Sequence, residues 1–357
     1  MSYKVAVWGT GNVGRPAIRA VHGHAQLELC HVIVSNPAKV GKDAGTLAGV
    51  AEIGVQASDD WQAVLSQGVD AVVYAATSDI RPEEAMQDVL ACLRAGANVV
   101  SPGFYSYLYP KDAPAEVLAP VEAACKEGNS SLMVSGIDPG WAMDILPILA
   151  SGVIAEIEEI RCQEIFNYAL YDAPHVVREV IGFGQPMDEL PMMLHDFSLE
   201  MVWAPMVKIL GDALDAPVDK VTTHVERLPL EETIQVEGMG QFDKGTMGAF
   251  RFEVIGHSNG KPYFVVEHIT RIHDDCAPDW PLPPEGSGCH QVKITGSPNF
   301  TISVHGEDPV EPGPAGGGNG SAANRLVNAL PEVCKAKQGV LSILDIPPVN
   351  GGAQLRR

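Results

Sequence analysis

The chain has 357 residues, a length that suits two domains of ordinary size. Hydrophobic residues make up 46% and charged residues 19%, a globular composition that excludes wholesale disorder. Acidic residues outnumber basic ones 45 to 24, for a formal charge of −21. So negative a surface repels phosphate backbones and anionic lipid, so neither nucleic acid nor membrane is an expected partner.

In chain order, residues 3–8 (YKVAVW) form a short apolar, β-branched run, and residues 13–21 follow at helical spacing. Residues 27–34 read as a strand, 60–66 as a helix, 69–76 as a buried strand and 82–94 as a helix with Pro82 at its first position. Residues 97–100, 115–126 and 131–134 continue as strand, helix and strand. Near-continuous apolar strands separated by amphipathic helices predict a doubly wound parallel sheet, a Rossmann domain over residues 1–150.

After Ser151 the texture changes. Residues 156–168 alternate like a strand, and residues 175–214 read as mostly helical, Met-rich and interrupted by Pro186, Pro191 and Pro205. Long alternating runs follow at 221–236, 248–257, 263–272, 289–295 and 300–305. This pattern predicts an α+β domain on a mostly antiparallel sheet over residues 151–317, with one sheet face open to solvent, substrate or a partner subunit. Residues 274–288 and 307–320 are Pro/Gly-rich and read as loops. Residues 321–330 then form a helix capped by Ser321, within a closing segment spanning 318–357.

The opening MSYKVAVWGTG enters strand-like sequence without a basic leader, and no apolar run approaches the roughly 20 residues of a membrane span. Seven thinly spread cysteines suit buried, reduced thiols, so the expected location is the cytoplasm.

Gly9-Thr10-Gly11-Asn12-Val13-Gly14 follows the first strand and opens a helix, the G-x-G-x-x-G context of a dinucleotide-binding turn. Gly9 permits the turn, Gly11 leaves room for the pyrophosphate, and Gly14 lets the helix lie close to the strand. The phosphates then meet backbone N–H groups at the helix N-terminus. The second strand ends at Ser35 and Asn36 rather than at a carboxylate, with Arg15, Lys39 and Lys42 as nearby cations. With nothing there to repel a 2′-phosphate, the reading favours NADP, with NAD also accepted as the alternative. Ala75-Ala76-Thr77 and Ser101-Pro102 end the fourth and fifth strands, where a doubly wound sheet places its ligand.

VAVWGTGNVG, NPAKVGKDAGTLAG, SGIDPGWAMDILP and SAANRLVNALPEVCKAKQGVLSILDIP resemble the dihydrodipicolinate reductase-like oxidoreductases. Within them the resemblance is nearest to the 2,4-diaminopentanoate dehydrogenase and native amine dehydrogenase branch. Gly136, Pro139, Gly140 and Asp144, with the V-N-A-L-P helix, carry most of the specificity. The resemblance implies hydride transfer from a nicotinamide between a carbonyl or imine and an amine. It also implies an α+β domain that forms a homodimer and a C-terminal helix that returns to the Rossmann domain. This branch is expected to hold a glutamate after the fifth strand that binds and deprotonates ammonia. Here residues 101–111 contain no carboxylate, and Asp112 is the first.

Reduction of C=O or C=N needs a proton donor as well as a hydride. Tyr105 and Tyr107, after the fifth strand, are the candidate donors, and Asp138 is either a helix cap or a site carboxylate. Tyr109, Trp141, His175 and His195 are candidates for the substrate pocket, and the Met-rich stretch for a malleable wall. No C-x-x-C pair or H-E-x-x-H supports a metal site. The sequence thus predicts an NAD(P)-dependent oxidoreductase acting on a small apolar C=O or C=N compound. The alternatives are an ammonia-using amine dehydrogenase that relies on a carboxylate such as Asp138, and a non-catalytic dinucleotide-binding dimer.

Overall fold

The computed structural model describes residues 2–78, 80–171 and 173–355. The chain divides into two compact units, one comprising Met1–Trp141 with Gly318–Arg357 and the other Ala142–Gly317. The first division falls at Trp141/Ala142, ahead of the change in texture after Ser151, and the second at Gly317/Gly318.

The first unit opens with β1 (Tyr3–Trp8), α1 (Gly14–Gly23), β2 (Leu27–Ile33), α2 (Ala44–Leu47), β3 (Ala57–Ser58) and α3 (Trp61–Ser66). It continues with β4 (Ala71–Tyr74), α4 (Pro82–Arg94), β5 (Asn98–Ser101), α5 (Ala115–Gly128) and β6 (Ser131–Val134). The second unit contains α6 (Ile145–Ser151), β7 (Glu156–Asn167), α7 (Asp196–Ala213), β8 (Lys220–Pro229), β9 (Ile234–Val236) and β10 (Gly240–Phe242). It ends with β11 (Met247–Ser258), β12 (Lys261–Arg271), β13 (Gly288–Ser297) and β14 (Phe300–Val304). The chain closes with α8 (Pro314–Val333) and β15 (Gly339–Leu341).

In the first unit seven parallel strands run in the order β15-β6-β5-β4-β1-β2-β3. The order reverses between β1 and β4, which is the switch point where a doubly wound sheet binds its ligand. Ala323, Leu326, Val327 and Leu330 of α8 share an apolar core with Val5, Val7 and Ile18, so the closing helix is integral to this unit. Arg325 secures it by donating Nε to the Ser135 hydroxyl and the Gly140 carbonyl, both at 3.2 Å. Gly140 has φ +123, and a Cβ there would overlap the Gly136 amide, which accounts for glycine in this turn.

Two readings change here. The expected loop at 307–320 is helical from Pro314, so Ser321 lies inside α8 and does not cap it. Side chains at Gly316 and Gly317 would overlap the carbonyls of Glu311 and Gly306, so close packing of neighbouring chain outweighs the poor helix propensity of glycine. β15 adds a seventh strand that no predicted element anticipated.

In the second unit six strands run β14-β13-β7-β12-β11-β8. Every pairing is antiparallel except β7 with β12. Phe250, Phe252, Phe264 and Val266 point to the face that α7 covers, where Trp203 lies 4.7 Å from Phe252 between ring centroids. The predicted helical stretch 175–214 is helical as α7 only from Asp196, after a π-helical turn at Val176–Val180. The single run expected at 221–236 is two strands, β8 and β9, the second paired with β10.

Candidate active site

The Gly-rich turn has the shape a dinucleotide needs. Gly9 adopts φ +108, and a Cβ there would lie 2.7 Å from the Ala75 carbonyl carbon and oxygen. A Cβ on Gly14 would overlap the Gly9 carbonyl, so α1 approaches β1 only through glycine. Gly11 differs: a Cβ there meets nothing within 4 Å, so the space before the helix is open. The first bonds of α1 run from Arg15 N–H to the Gly11 carbonyl and from Ala17 N–H to the Val13 carbonyl. Earlier amides therefore lie at the positive end of the helix, whose first turn carries no acidic residue. Thr10 is buried in this turn, while Asn12 and Val13 are half-buried.

Lys39 reaches back over the turn, with Nζ 2.9 Å from Thr10 Oγ1 and 3.2 Å from the Thr10 carbonyl. Ser35 and Asn36 are exposed, and the Asn36 side chain accepts from Ala38 N–H, capping the turn that carries Lys39. Ala75, Ala76 and Thr77 follow β4, with Ala75 N–H bonded to the Trp8 carbonyl. Ser101 is buried at the end of β5 and accepts from Gly103 N–H; Pro102 is half-buried. These positions converge on the carboxyl ends of β1, β4 and β5.

The tyrosines separate. Tyr107 is buried and donates to the Val117 carbonyl at 3.1 Å, and burial pushes its hydroxyl further above the ordinary tyrosine value. That commitment to α5 removes it from the candidate donors. Tyr105 is half-buried at the start of the same turn, after Phe104 in a left-handed conformation with φ +65. Tyr109 is buried. Asp138 is half-buried in the turn after β6, but Asp144 is the residue that caps α6, accepting from Ile145 N–H. Trp141 is half-buried. His175 and His195 are both exposed, His195 resting on Phe197.

In the second unit the structure gathers four residues that sequence reasoning missed. Glu164 on β7 is the direct register partner of His268 on β12 and of His290 on β13. Glu164 Oε1 lies 3.3 Å from His268 Nδ1 and accepts from the Tyr168 hydroxyl at 2.9 Å; its Oε2 lies 3.5 Å from His290 Nε2. All three cross-strand side chains are nearly inaccessible, at 12%, 7% and 8% exposure. Burial alone would raise the Glu164 carboxyl. The attraction of His268 and hydrogen bonds from His268 and His290 outweigh it and hold the carboxyl well below the usual carboxylate range. Aromatic rings fix the surroundings: His268 stacks on Phe252 and meets the edge of Trp203, while His290 meets Phe166. Such a buried, strongly perturbed group in a polar constellation is the expected mark of a working site.

The opposite face of the same sheet carries a different network. Arg161 bonds Glu159, Glu253 and Glu267, and Arg251 bonds Glu253 and Glu267, so each buried carboxylate has a guanidinium partner. This network is structural in character, with two guanidiniums shared among three carboxylates.

A glycine cradle at the switch point of a parallel sheet defines the first unit as a Rossmann dinucleotide-binding domain. Residues 3–103 match the model of the dihydrodipicolinate reductase N-terminus, and residues 141–353 match the 2,4-diaminopentanoate dehydrogenase C-terminal domain. The chain is 49% identical over 343 residues to an amine dehydrogenase of Streptomyces virginiae, covering 96% of this chain and 95% of that one. It is 22% identical to a 2,4-diaminopentanoate dehydrogenase of Acetoanaerobium sticklandii, over 77% of this chain and 78% of that one. The solved amine dehydrogenase of Mycobacterium smegmatis shares the fold at a TM-score of 0.76, with 21% identity and 99% of both chains covered. The chain belongs to the 2,4-diaminopentanoate dehydrogenase and amine dehydrogenase family. It is a nicotinamide-dependent oxidoreductase. Among the described residues no helix is long and apolar enough to cross a membrane.

Proposed function

We propose that this enzyme interconverts a small, largely apolar carbonyl compound and its primary amine, using ammonia and NADP(H), and that it works as a homodimer. The observation that carries this reading is the 49% identity to an amine dehydrogenase, sustained along 96% of the chain. The balanced reaction joins a carbonyl, ammonia, NADPH and a proton, and gives the amine, NADP⁺ and water. The nicotinamide supplies the hydride when bound. The chain supplies the remainder: amides of the turn at Gly9–Gly14 for the pyrophosphate, and Lys39 for the phosphate on the adenosine ribose.

Lys39 favours NADP because its ammonium already sits on Thr10, with no carboxylate at Ser35 or Asn36 to oppose a 2′-phosphate. Tyr105 remains the proton-donor candidate of the loop after β5.

A second reading, reduction of a ready-made C=O or C=N without ammonia, is favoured by the carboxylate-free stretch 101–111. NADPH oxidation measured across short aliphatic aldehydes and ketones, with and without ammonium chloride, separates the two. Ammonium-dependent turnover supports amine formation, and ammonium-independent turnover supports the second reading. No NADPH oxidation under either condition would contradict both.

A further inference from the structure

Ser135 and Arg325 stand 190 residues apart in the chain and are joined by a hydrogen bond inside the first unit. Ser135 opens the turn that follows β6, with Gly136 and Gly140, and Arg325 lies on the closing helix α8. Arg325 Nε donates to the Ser135 hydroxyl and to the Gly140 carbonyl, and the Ser135 hydroxyl donates to that same carbonyl at 3.1 Å. Helix and turn are close-packed as well, since a Cβ on Gly136 would lie 3.8 Å from the Ala322 Cβ. Arg325 and Ser135 are buried, at 8% and 1% exposure. Burying a guanidinium is costly. Attachment of α8 does not require it, because Ala323, Leu326, Val327 and Leu330 already seat the helix in the apolar core.

The bonds continue from this turn to the neighbouring strand end. Ser135 N–H donates to the Ser101 carbonyl at 3.1 Å, one residue beyond the last register pair of β5 and β6. The Ser101 hydroxyl accepts from Gly103 N–H at 3.2 Å, which shapes the turn after β5. A Cβ on Gly103 would overlap the Ser78 hydroxyl, so that turn also lies against the segment after β4. One buried cation thus reaches, through two serines, the carboxyl ends of β6 and β5. In the strand order, β2 and the Lys39 that follows it lie on one side of β1, and β4, β5 and β6 lie on the other. A dinucleotide whose pyrophosphate rests on the Gly9–Gly14 turn lays its adenosine half over β2 and its nicotinamide half over the opposite side.

We propose that Arg325 is a positioning residue for the nicotinamide half of the cofactor. It holds the turn after β6 directly and the turn after β5 through Ser135 and Ser101, so the closing helix sets the surface that meets the nicotinamide riboside. That surface needs a fixed geometry, because a misplacement of about 1 Å at a reacting centre can cost roughly 100-fold in rate. The proposal rests on the nicotinamide dependence of the family and is independent of the choice between NADP and NAD.

The test compares whole cofactors with their adenosine halves, by calorimetric titration of the full chain. NADPH is paired with adenosine 2′,5′-bisphosphate, and NADH with ADP. Arg325→Met keeps the aliphatic stem and removes the donors. For the cofactor that the wild type binds more tightly, affinity should fall about tenfold, with affinity for its adenosine half unchanged within about twofold. Arg325→Lys, which keeps a charged donor, should recover part of the loss. Ser135→Ala should show the same split with about a threefold loss, and it decides the matter if Arg325→Met does not fold. Equal losses for cofactor and adenosine half would reduce Arg325 to an anchor of α8 and overturn the proposal. Unchanged cofactor affinity in both Arg325→Met and Ser135→Ala would overturn it too. A wild-type preference for NADH would contradict the NADP reading alone, and the NADH and ADP pair would then decide on Arg325.

Discussion

Glu164 on β7 and His268 on β12 face one another in the one parallel pairing of the second sheet, with Oε1 3.3 Å from Nδ1. The carboxyl is held well below its ordinary value of 4.5, so its ionised form contributes stability above that pH. This contribution is lost as pH falls below 4.5 towards the folded value. Glu164→Gln should therefore lower the melting temperature at pH 7 and flatten its decline as pH falls below about 4.5. Parallel melting curves for the two proteins across that range would contradict the assignment.

The glycines of the phosphate turn should respond differently to substitution. Gly11→Val places a branched side chain in the open space before α1, so NADPH affinity should fall at least tenfold while the melting temperature changes by only a few degrees. Gly14→Ala drives a Cβ into the Gly9 carbonyl and should lower the melting temperature as well as cofactor affinity. Titration with NADPH and thermal melting of both variants check this contrast.

Cofactor choice should depend on Lys39 and the end of β2. Lys39→Ala should weaken NADPH binding about tenfold and leave NADH binding nearly unchanged, because only NADPH carries the 2′-phosphate. Ser35→Asp should move preference in the same direction by repelling that phosphate. A wild-type enzyme with strong preference for NADH would contradict the assignment of Lys39.

Tyr105 and Tyr107 should separate by phenotype. Tyr107→Phe leaves the Val117 carbonyl without its donor and should cost about 1 kcal/mol of stability, with little effect on turnover. Tyr105→Phe should lower kcat with little effect on stability. Denaturant unfolding alongside steady-state kinetics distinguishes the two.

Much of the first unit was legible because its signals are local. Strand, glycine turn and helix succeed one another within residues 3–21, and each glycine has a steric reason that the spacing already expresses. α8 was misjudged at its start because glycine propensity is a local quantity, whereas the packing against Glu311 and Gly306 that holds Gly316 and Gly317 is not. β15 has only three residues and exists because β6 lies beside it.

The site in the second unit was harder to read. Glu164, His268 and His290 are more than a hundred residues apart at the extremes, and only the register of β13, β7 and β12 brings them together. A signal was present all the same. Glu164 breaks the apolar parity of its strand between Cys162 and Phe166, and His268 follows Phe264 and Val266 on the same face of β12. His175 and His195, the histidines closest to helical segments that could cover a pocket, are exposed, and much of the stretch around them is turn and loop.

The most direct test of the account follows nitrogen into product. The enzyme is incubated with NADPH, ¹⁵N-labelled ammonium and the short aliphatic carbonyl compound that it turns over fastest, and the product is analysed by mass spectrometry. A primary amine carrying ¹⁵N, formed in equal amount to the NADPH consumed, is the expected result. Consumption of NADPH with formation of the corresponding alcohol, and no labelled amine, would contradict it.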